Sequence, residues 1–542
     1  MIIEGNIVDI VGREIYPGAI EVEQGRISKI RRGGVSSASC DGYIMLGFVD
    51  AHLHIESYLL TPSSFSQIVV GCGTVAVVTD PHEIANVMGR RGVDFMIEES
   101  KRASIRCHFT IPSSVPATPF DLAGGEITAH DVEQMTSSGE FVGLSEVMNL
   151  HGVVAGDEQI LAKIEAAHAA GLVVDGHAPM QSGEALRQYI ECGITTDHEC
   201  VSLEEAEEKI AQGMKILIRE GSAAKNYEAL KPLIASSPEN IMFCTDDSHP
   251  DDILSYGHID KIVRRAVADG FDLFDVLRIA SINPIDHYKL DQGDLSVGSR
   301  ADFIVVDDLR DFALRSLYLD GTLRYSREGG VISVEGTGSV ELINNFNHDL
   351  VTRDQLQRIV WQEIDVIGVI PNEIITRRER YMPKRLGVNL ECDLECDIQK
   401  IVYINRYHNL PPVVAFCRGF GLRGGAIATS VSHDSHNILA VGCSDEEIAD
   451  AVNSIVASKG GLAVAYGGAI DSLPLPIAGI MSDKSGESVA AAYSMLQQRV
   501  AQLGCRLPSP FMTLSFLSLV VIPELKIGEQ GLFSYSEFNW VD

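Results

Sequence analysis

No stretch of this 542-residue chain stays apolar for the ~20 positions that a membrane-spanning helix needs. The longest late run, Phe511 to Ile522, contains Thr and Ser and stops at Pro523. The opening MIIEGNIVDI lacks a basic segment followed by a long apolar one, so no signal peptide is expected and a cytoplasmic location is. Positive charge is also scarce. The 43 Lys and Arg face 75 Asp and Glu, a formal net charge of −32. A surface of that sign repels phosphate backbones and anionic lipid, which argues against nucleic acid and membrane as partners. There is no cysteine framework either. The eleven cysteines are an odd, scattered set, and no second pair or nearby His completes a zinc site with Cys392 and Cys396. Reduced, mostly buried thiols are expected. Internal repeats and low-complexity tracts are absent.

What the chain does have is the composition of a well-cored globular protein, with 45% hydrophobic and 22% charged residues. Residues 1–35 alternate as short strands (Ile2 to Ile10, Ala19 to Glu23, Arg26 to Ile30) broken by Pro17-Gly18 and Gln24-Gly25. The same pattern returns at Ala301 to Val306 and Gly330 to Val334. Between them, eight short β-branched runs are each followed by a helical stretch. The runs end near His54, Asp80, Pro112, Glu146, His177, His198, Arg219 and Asp246. Eight such units favour a (β/α)8 barrel over an open doubly wound sheet. The expected fold is therefore α/β. A TIM-like barrel spans 46–294, and a small β-sandwich is built from the flanking segments 1–45 and 295–340. A linker with a helix over Asp354 to Ile364 occupies 341–380, and an additional α+β domain occupies 381–542. Strand-like runs there cover Lys400 to Asn405, Val413 to Cys417 and Leu462 to Tyr466, with a long helix from Glu487 to Leu503.

The polar residues at the ends of the eight runs carry the chemistry. Strand ends of a barrel converge on one face, and catalytic groups come from several strands. Here those ends offer His52, His54, Glu146, His177, His198 and Asp246. His52 and His54 are spaced i, i+2, so both side chains point to the same side of a strand. Glu146 has two oxygens with which to bridge two ions, His177 and His198 would hold the second ion, and Asp246 would reach the first. Two ions ~3.5–4 Å apart can share and activate a water at neutral pH. A lone His at a strand end is more often a structural hydrogen-bonder, and His108, His130, His151 and His168 are read that way. Six ligand-type residues in one register outweigh that reading.

Other motifs weigh less. Gly419-Phe-Gly421-Leu-Arg-Gly424 matches G-x-G-x-x-G, but a strand rather than a helix follows it, so a tight turn is preferred. His82-Glu83 does not extend to H-E-x-x-H, because position 86 is Asn. Ser248-His249 and His433-Asp434-Ser435-His436 have no G-x-S-x-G elbow beside them. His433 and His436 are expected as neighbours of the active site.

These residues resemble the amidohydrolase superfamily and, within it, the adenine deaminases. Gly47-Phe-Val-Asp-Ala-His-Leu-His-Ile-Glu56 is similar to the superfamily's opening metal motif, and Thr79-Asp-Pro-His-Glu-Ile-Ala-Asn86 to a more specific second-strand signature. Gly176-His-Ala-Pro179, Thr196-Asp-His-Glu-Cys200, Met214 to Lys225 and Cys244-Thr-Asp-Asp247 follow in the family's order. Ser432-His-Asp-Ser-His-Asn437, Leu473 to Gly479 and Pro510 to Phe516 are similar to its extra domain. Many superfamily members bridge their metals with a carbamylated lysine on the fourth strand. Here that run has Glu146 and no lysine. The resemblance implies an adenine aminohydrolase, acting on C–N bonds of cyclic amidines, with two divalent metal ions, Mn or Fe before Zn. A metal-activated hydroxide would attack C6 of adenine, with Asp246 as general base and then acid. Asp80, His82, Glu83, Arg219 and Ser222 are the expected purine contacts, and Arg219 is equally readable as a salt-bridge partner. A cyclic amide hydrolase of dihydroorotase or hydantoinase type, or a scaffold protein without metals, are the alternatives. Self-association is left open.

Overall fold

The computed structural model describes residues 1–34, 41–222, 224–332, 340–371 and 373–541. Four strands open the chain: β1 (Ile2–Asp9), β2 (Glu14–Glu23), β3 (Arg26–Arg32) and β4 (Tyr43–Met45). Eight more form the middle: β5 (Phe48–Leu53), β6 (Thr74–Thr79), β7 (Arg106–Ile111), β8 (Phe141–Val147), β9 (Val173–Gly176), β10 (Thr196–Asp197), β11 (Lys215–Arg219) and β12 (Ile241–Cys244). β5 to β9 pair in parallel in sequence order, as do β10 to β12. Main-chain bonds close the two arcs into a ring. Thr195 N donates to Val174 O at 2.9 Å, and Asp246 N donates to His52 O at 3.0 Å. β5, β6 and β12 are buried along their whole length, as a barrel wall covered by helices outside and side chains inside must be.

After the barrel come β13 (Phe303–Val306), β14 (Leu314–Leu319), β15 (Thr322–Ser326) and β16 (Gly330–Val331). They join the opening strands in one eight-stranded sheet of order β16-β15-β14-β13-β4-β1-β2-β3. The two ends of the first unit thus meet where β4 pairs with both β1 and β13. The expected strand over 330–334 extends partly beyond the described residues, since 333–339 lie outside them.

The helix expected over Asp354 to Ile364 is not formed. A single 3-10 turn, Arg353–Leu356, gives way to the strands Ile359–Val360 and Ile364–Val369. Ile359, Val360, Ile364 and Val366 are β-branched, and sheet pairing settles their state. Ile364–Val369 pairs with Thr376–Tyr381 and with Val413–Arg418, so the nine-stranded sheet of the C-terminal part begins before residue 381. The helix Asp445–Ser458 covers one side of this sheet with Ile448, Val452 and Ile455. The helix Gly486–Gln502 packs against the barrel helix Pro250–Tyr256, which brings the C-terminal part over the barrel. Among the described residues no helix is long and apolar enough to cross a membrane.

Candidate active site

Asp50 on β5 fixes the first metal-type pair. Its carboxylate accepts from His52 N at 3.3 Å and from Thr245 N at 3.2 Å, tying the end of β5 to the end of β12. Two residues on, His54 places Nδ1 3.1 Å from Asp80 O. With a proton on Nδ1, that contact leaves the Nε2 lone pair facing inward. His177 is set by Tyr189, whose hydroxyl accepts from His177 N at 2.9 Å and donates to Val147 O at 2.6 Å. Asn226 holds the chain beyond β10 by donating to His198 O at 3.2 Å. Asp246 follows β12 with φ 53°, a left-handed conformation that Asp tolerates better than most side chains.

These anchors bring all six expected ligands together. None is more than 5% exposed. Glu146 sits centrally and divides its oxygens. Oε1 lies 3.6 Å from His52 Nε2 and 3.3 Å from His54 Nε2. Oε2 lies 2.8 Å from His177 Nδ1 and 3.3 Å from His198 Nε2. Asp246 Oδ1 is 3.2 Å from His54 Nε2 and 3.8 Å from His52 Nε2. Donor atoms of His52, His54 and Asp246 fall within 4.8 Å of one another, and so do those of His52, Glu146 and His198. The ring nitrogens His52 Nε2 and His177 Nε2 are buried without a hydrogen-bond partner. Burial pushes the His52 imidazole down to about 3, which keeps it neutral with a free lone pair. Four buried imidazoles converging on shared carboxylates match the donor chemistry of a divalent metal site.

The five residues expected at the purine divide. His82, Glu83 and Arg219 line a cavity beside the six ligands. Asp80 lies behind it and accepts from His82 Nδ1 at 2.6 Å. Ser222 is turned away, with its hydroxyl donating to Asp252 at 2.5 Å and accepting from His249 N at 2.9 Å. Arg219 is a salt-bridge residue. It pairs with Glu199 Oε1 at 2.5 Å and with Asp246 Oδ2. Burial works against the Glu199 carboxylate, but Arg219 and the neighbouring imidazoles outweigh it and hold its pKa far below the usual range.

Several lining residues were not singled out from the sequence. Glu199 follows His198 directly, and Asp247 follows Asp246. Each sits where the chain leaves a strand and strand alternation stops predicting direction. Asp247 accepts from Ser57 Oγ. Burial, then the charge of Asp246, raises its carboxyl. Met148, Ile374, Phe516 and Leu519 supply apolar walls, the last three from the C-terminal part. That part also delivers His433 and Asp434 to the cavity. His433 Nδ1 and His436 Nε2 both bond the Glu83 carboxylate, one to each oxygen. Burial disfavours charge on Glu83, yet His433, His436 and His82 hold its pKa well below the carboxylate range. His433 and His436 are therefore neighbours of the site and tie the two parts of the chain together. Asp434 has its carboxyl pushed up to about 7 by burial, with Oδ1 3.8 Å from His82 Nε2.

Comparison with known proteins finds matches to both parts of the chain. A model of the amidohydrolase family matches residues 43–324, and a model of the adenine deaminase C-terminal domain matches residues 373–539. An adenine deaminase of Sulfurovum sp. strain NBC37-1 is 47% identical over 545 residues, covering 100% of this chain and 99% of that one. One of Methanosarcina acetivorans is 45% identical over 549 residues, covering 99% and 98%. One of Borreliella burgdorferi is 43% identical over 549 residues, covering 100% and 99%. The chain belongs to the amidohydrolase family, in its adenine deaminase branch.

Proposed function

We propose that this protein hydrolyses adenine to hypoxanthine and ammonia at the cavity between the barrel mouth and the C-terminal part. Two divalent ions, manganese or iron before zinc, would be held by His52, His54, Glu146, His177, His198 and Asp246, with Glu146 shared between them. When bound, the ions supply the Lewis acidity that lets water lose a proton near neutral pH. The observation that carries the reading is the convergence of four imidazoles and two carboxylates at one barrel end, in a chain of this family.

The protein's own groups account for the remaining steps. Asp246 has one oxygen toward His52 and His54 and the other on Arg219. It is placed to take the proton of the attacking water and return it to the purine or the leaving amine, as general base and then acid. Arg219, in the wall of the same cavity, holds that carboxylate ionised and oriented, which is a positioning role. Phe516, Met148, Ile374 and Leu519 offer flat apolar walls suited to a neutral heterocycle. Glu199, His82, Glu83, His433 and Asp434 offer donors and acceptors for its edge. No lysine lies in β8 to carry a carbamate bridge, which disfavours the cyclic amide alternative.

The direct test incubates the manganese-loaded protein with adenine and follows ammonia and hypoxanthine. Stoichiometric release of both is expected. No ammonia from adenine, with turnover of another purine or of a cyclic amide, would overturn the assignment.

A further inference from the structure

Glu146 presents one oxygen to each half of the ligand set, so the placement of its backbone matters to both. That backbone is held from behind by groups that do not enter the cavity. Ser113 Oγ donates to Glu146 O at 2.5 Å, and Ser114 Oγ donates to the same carbonyl at 3.2 Å. Ser114 Oγ also accepts from Met148 N at 3.2 Å, and Ser113 N donates to Ser145 Oγ at 3.0 Å. The loop after β7 is thus stitched to β8 before, at and after Glu146.

The loop itself has a buried anchor. Lys163, on the helix Glu158–Ala169, donates from Nζ to Ser113 O at 2.7 Å. Lys163 is 9% exposed, and that carbonyl is its one hydrogen-bond partner among the described residues. Burial draws its amine down to about 8. Placing a lysine here has a desolvation cost that a methionine of similar length would avoid. The position gains a donor aimed at the loop that carries both serines. Lys163, Ser113 and Ser114 line a separate cleft on the outer side of this strand pair, away from the ligand cavity.

We propose that Lys163, acting through Ser113 and Ser114, is a positioning brace that sets the Glu146 carboxylate for metal bridging. The brace rests on the reading of Glu146 as a shared ligand. Groups that hydrogen-bond a metal ligand directly typically set metal affinity by roughly 10- to 100-fold, and Lys163, one hydrogen bond further out, is expected at the low end of that range.

The test titrates chelator-treated full-length protein with Mn²⁺, counting the free ion by electron paramagnetic resonance, a readout independent of turnover. Lys163→Met is expected to keep its circular dichroism and to bind Mn²⁺ roughly 10-fold more weakly. Turnover should return at excess Mn²⁺, and Lys163→Arg should retain most of the affinity because it keeps a donor. Should Lys163→Met fail to fold, the pair Ser113→Ala and Ser114→Ala reads the same weakening without removing the buried amine. Folded variants that bind Mn²⁺ as tightly as the wild type overturn the brace alone. A wild-type protein that binds no Mn²⁺ overturns the metal reading beneath it.

Discussion

Asp246 and Glu199 are buried carboxylates that share one guanidinium, Arg219. In the metal-free protein that guanidinium, ahead of the neighbouring imidazoles, is the largest source of positive charge compensating them. Removing one partner of a buried ion pair usually costs about 3–5 kcal/mol, because the other charge stays buried. Arg219→Met is therefore expected to lower the unfolding free energy of the chelator-treated protein by that order, read as a lower urea midpoint at unchanged slope, and to reduce kcat for adenine more than it raises KM. An unchanged midpoint would show that the pair carries no stability. At the same scale, His54→Ala removes the imidazole nearest Asp246 Oδ1. Elemental analysis should find less than two metal equivalents, with the circular dichroism of the barrel retained. Full metal content and full activity would take His54 out of the ligand set. The i, i+2 spacing of His52 and His54 was legible because strand geometry alone aims both rings together. Glu199 was not, because it lies two residues past the end of β10, where only the tertiary placement of Arg219 gives it a role.

At the scale of the element, the short strand Leu525–Gly528 buries a lysine. Lys526 donates to Ile374 O at 2.8 Å and to Phe516 O at 3.0 Å, pinning two residues that line the cavity. Burial lowers its pKa to about 7, against 10.5 for the free side chain. Between those values the unfolded chain binds a proton that the folded protein does not, so folding stability rises with pH across that window. Below about pH 7 the full desolvation cost applies, and above pH 10.5 it is gone. The wild type should gain stability relative to Lys526→Met as pH rises from 7 to 10, by up to ~1.4 kcal/mol per pH unit. Urea midpoints of the two proteins at matched pH measure this, and parallel curves would show that Lys526 does not titrate there. The segment 354–364 shows the limit of reading elements in isolation. Its polar residues suit a helix, but its β-branched residues find partners in two sheets, and pairing partners are not visible in a local window.

Across the whole molecule, the cavity is finished by residues 370 positions and more along the chain. Ile374, His433, Asp434, Phe516 and Leu519 reach it from the C-terminal part. The Glu83 carboxylate, clasped by His433 and His436, joins the two parts within the cavity wall. Phe516 stacks on His433 with ring centroids 4.4 Å apart and planes 13° from parallel. If this ring forms one face of the purine slot, Phe516→Ala should forfeit stacking worth ~1–3 kcal/mol, raising KM for adenine about tenfold to a hundredfold. Metal content should not change, since among the described residues the Phe516 ring stacks on His433 and its carbonyl accepts from Lys526, neither of them among the six expected ligands. An unaltered KM would place the purine elsewhere in the cavity.

The sequence by itself determined the eight-unit barrel, the sheet built from the segments flanking it, and the convergence of six residues with metal-ligand chemistry. Each of these rests on local periodicity or on strand-end position, which short-range stereochemistry controls. Only the tertiary structure decided that Glu146 divides its oxygens between two pairs of imidazoles, that Arg219 serves Asp246 and Glu199, and that Ser222 faces Asp252. It likewise decided that the C-terminal part closes the barrel mouth. These outcomes depend on distances between residues far apart in the chain, and such distances exist only once the ring of strands has closed and its helices have packed.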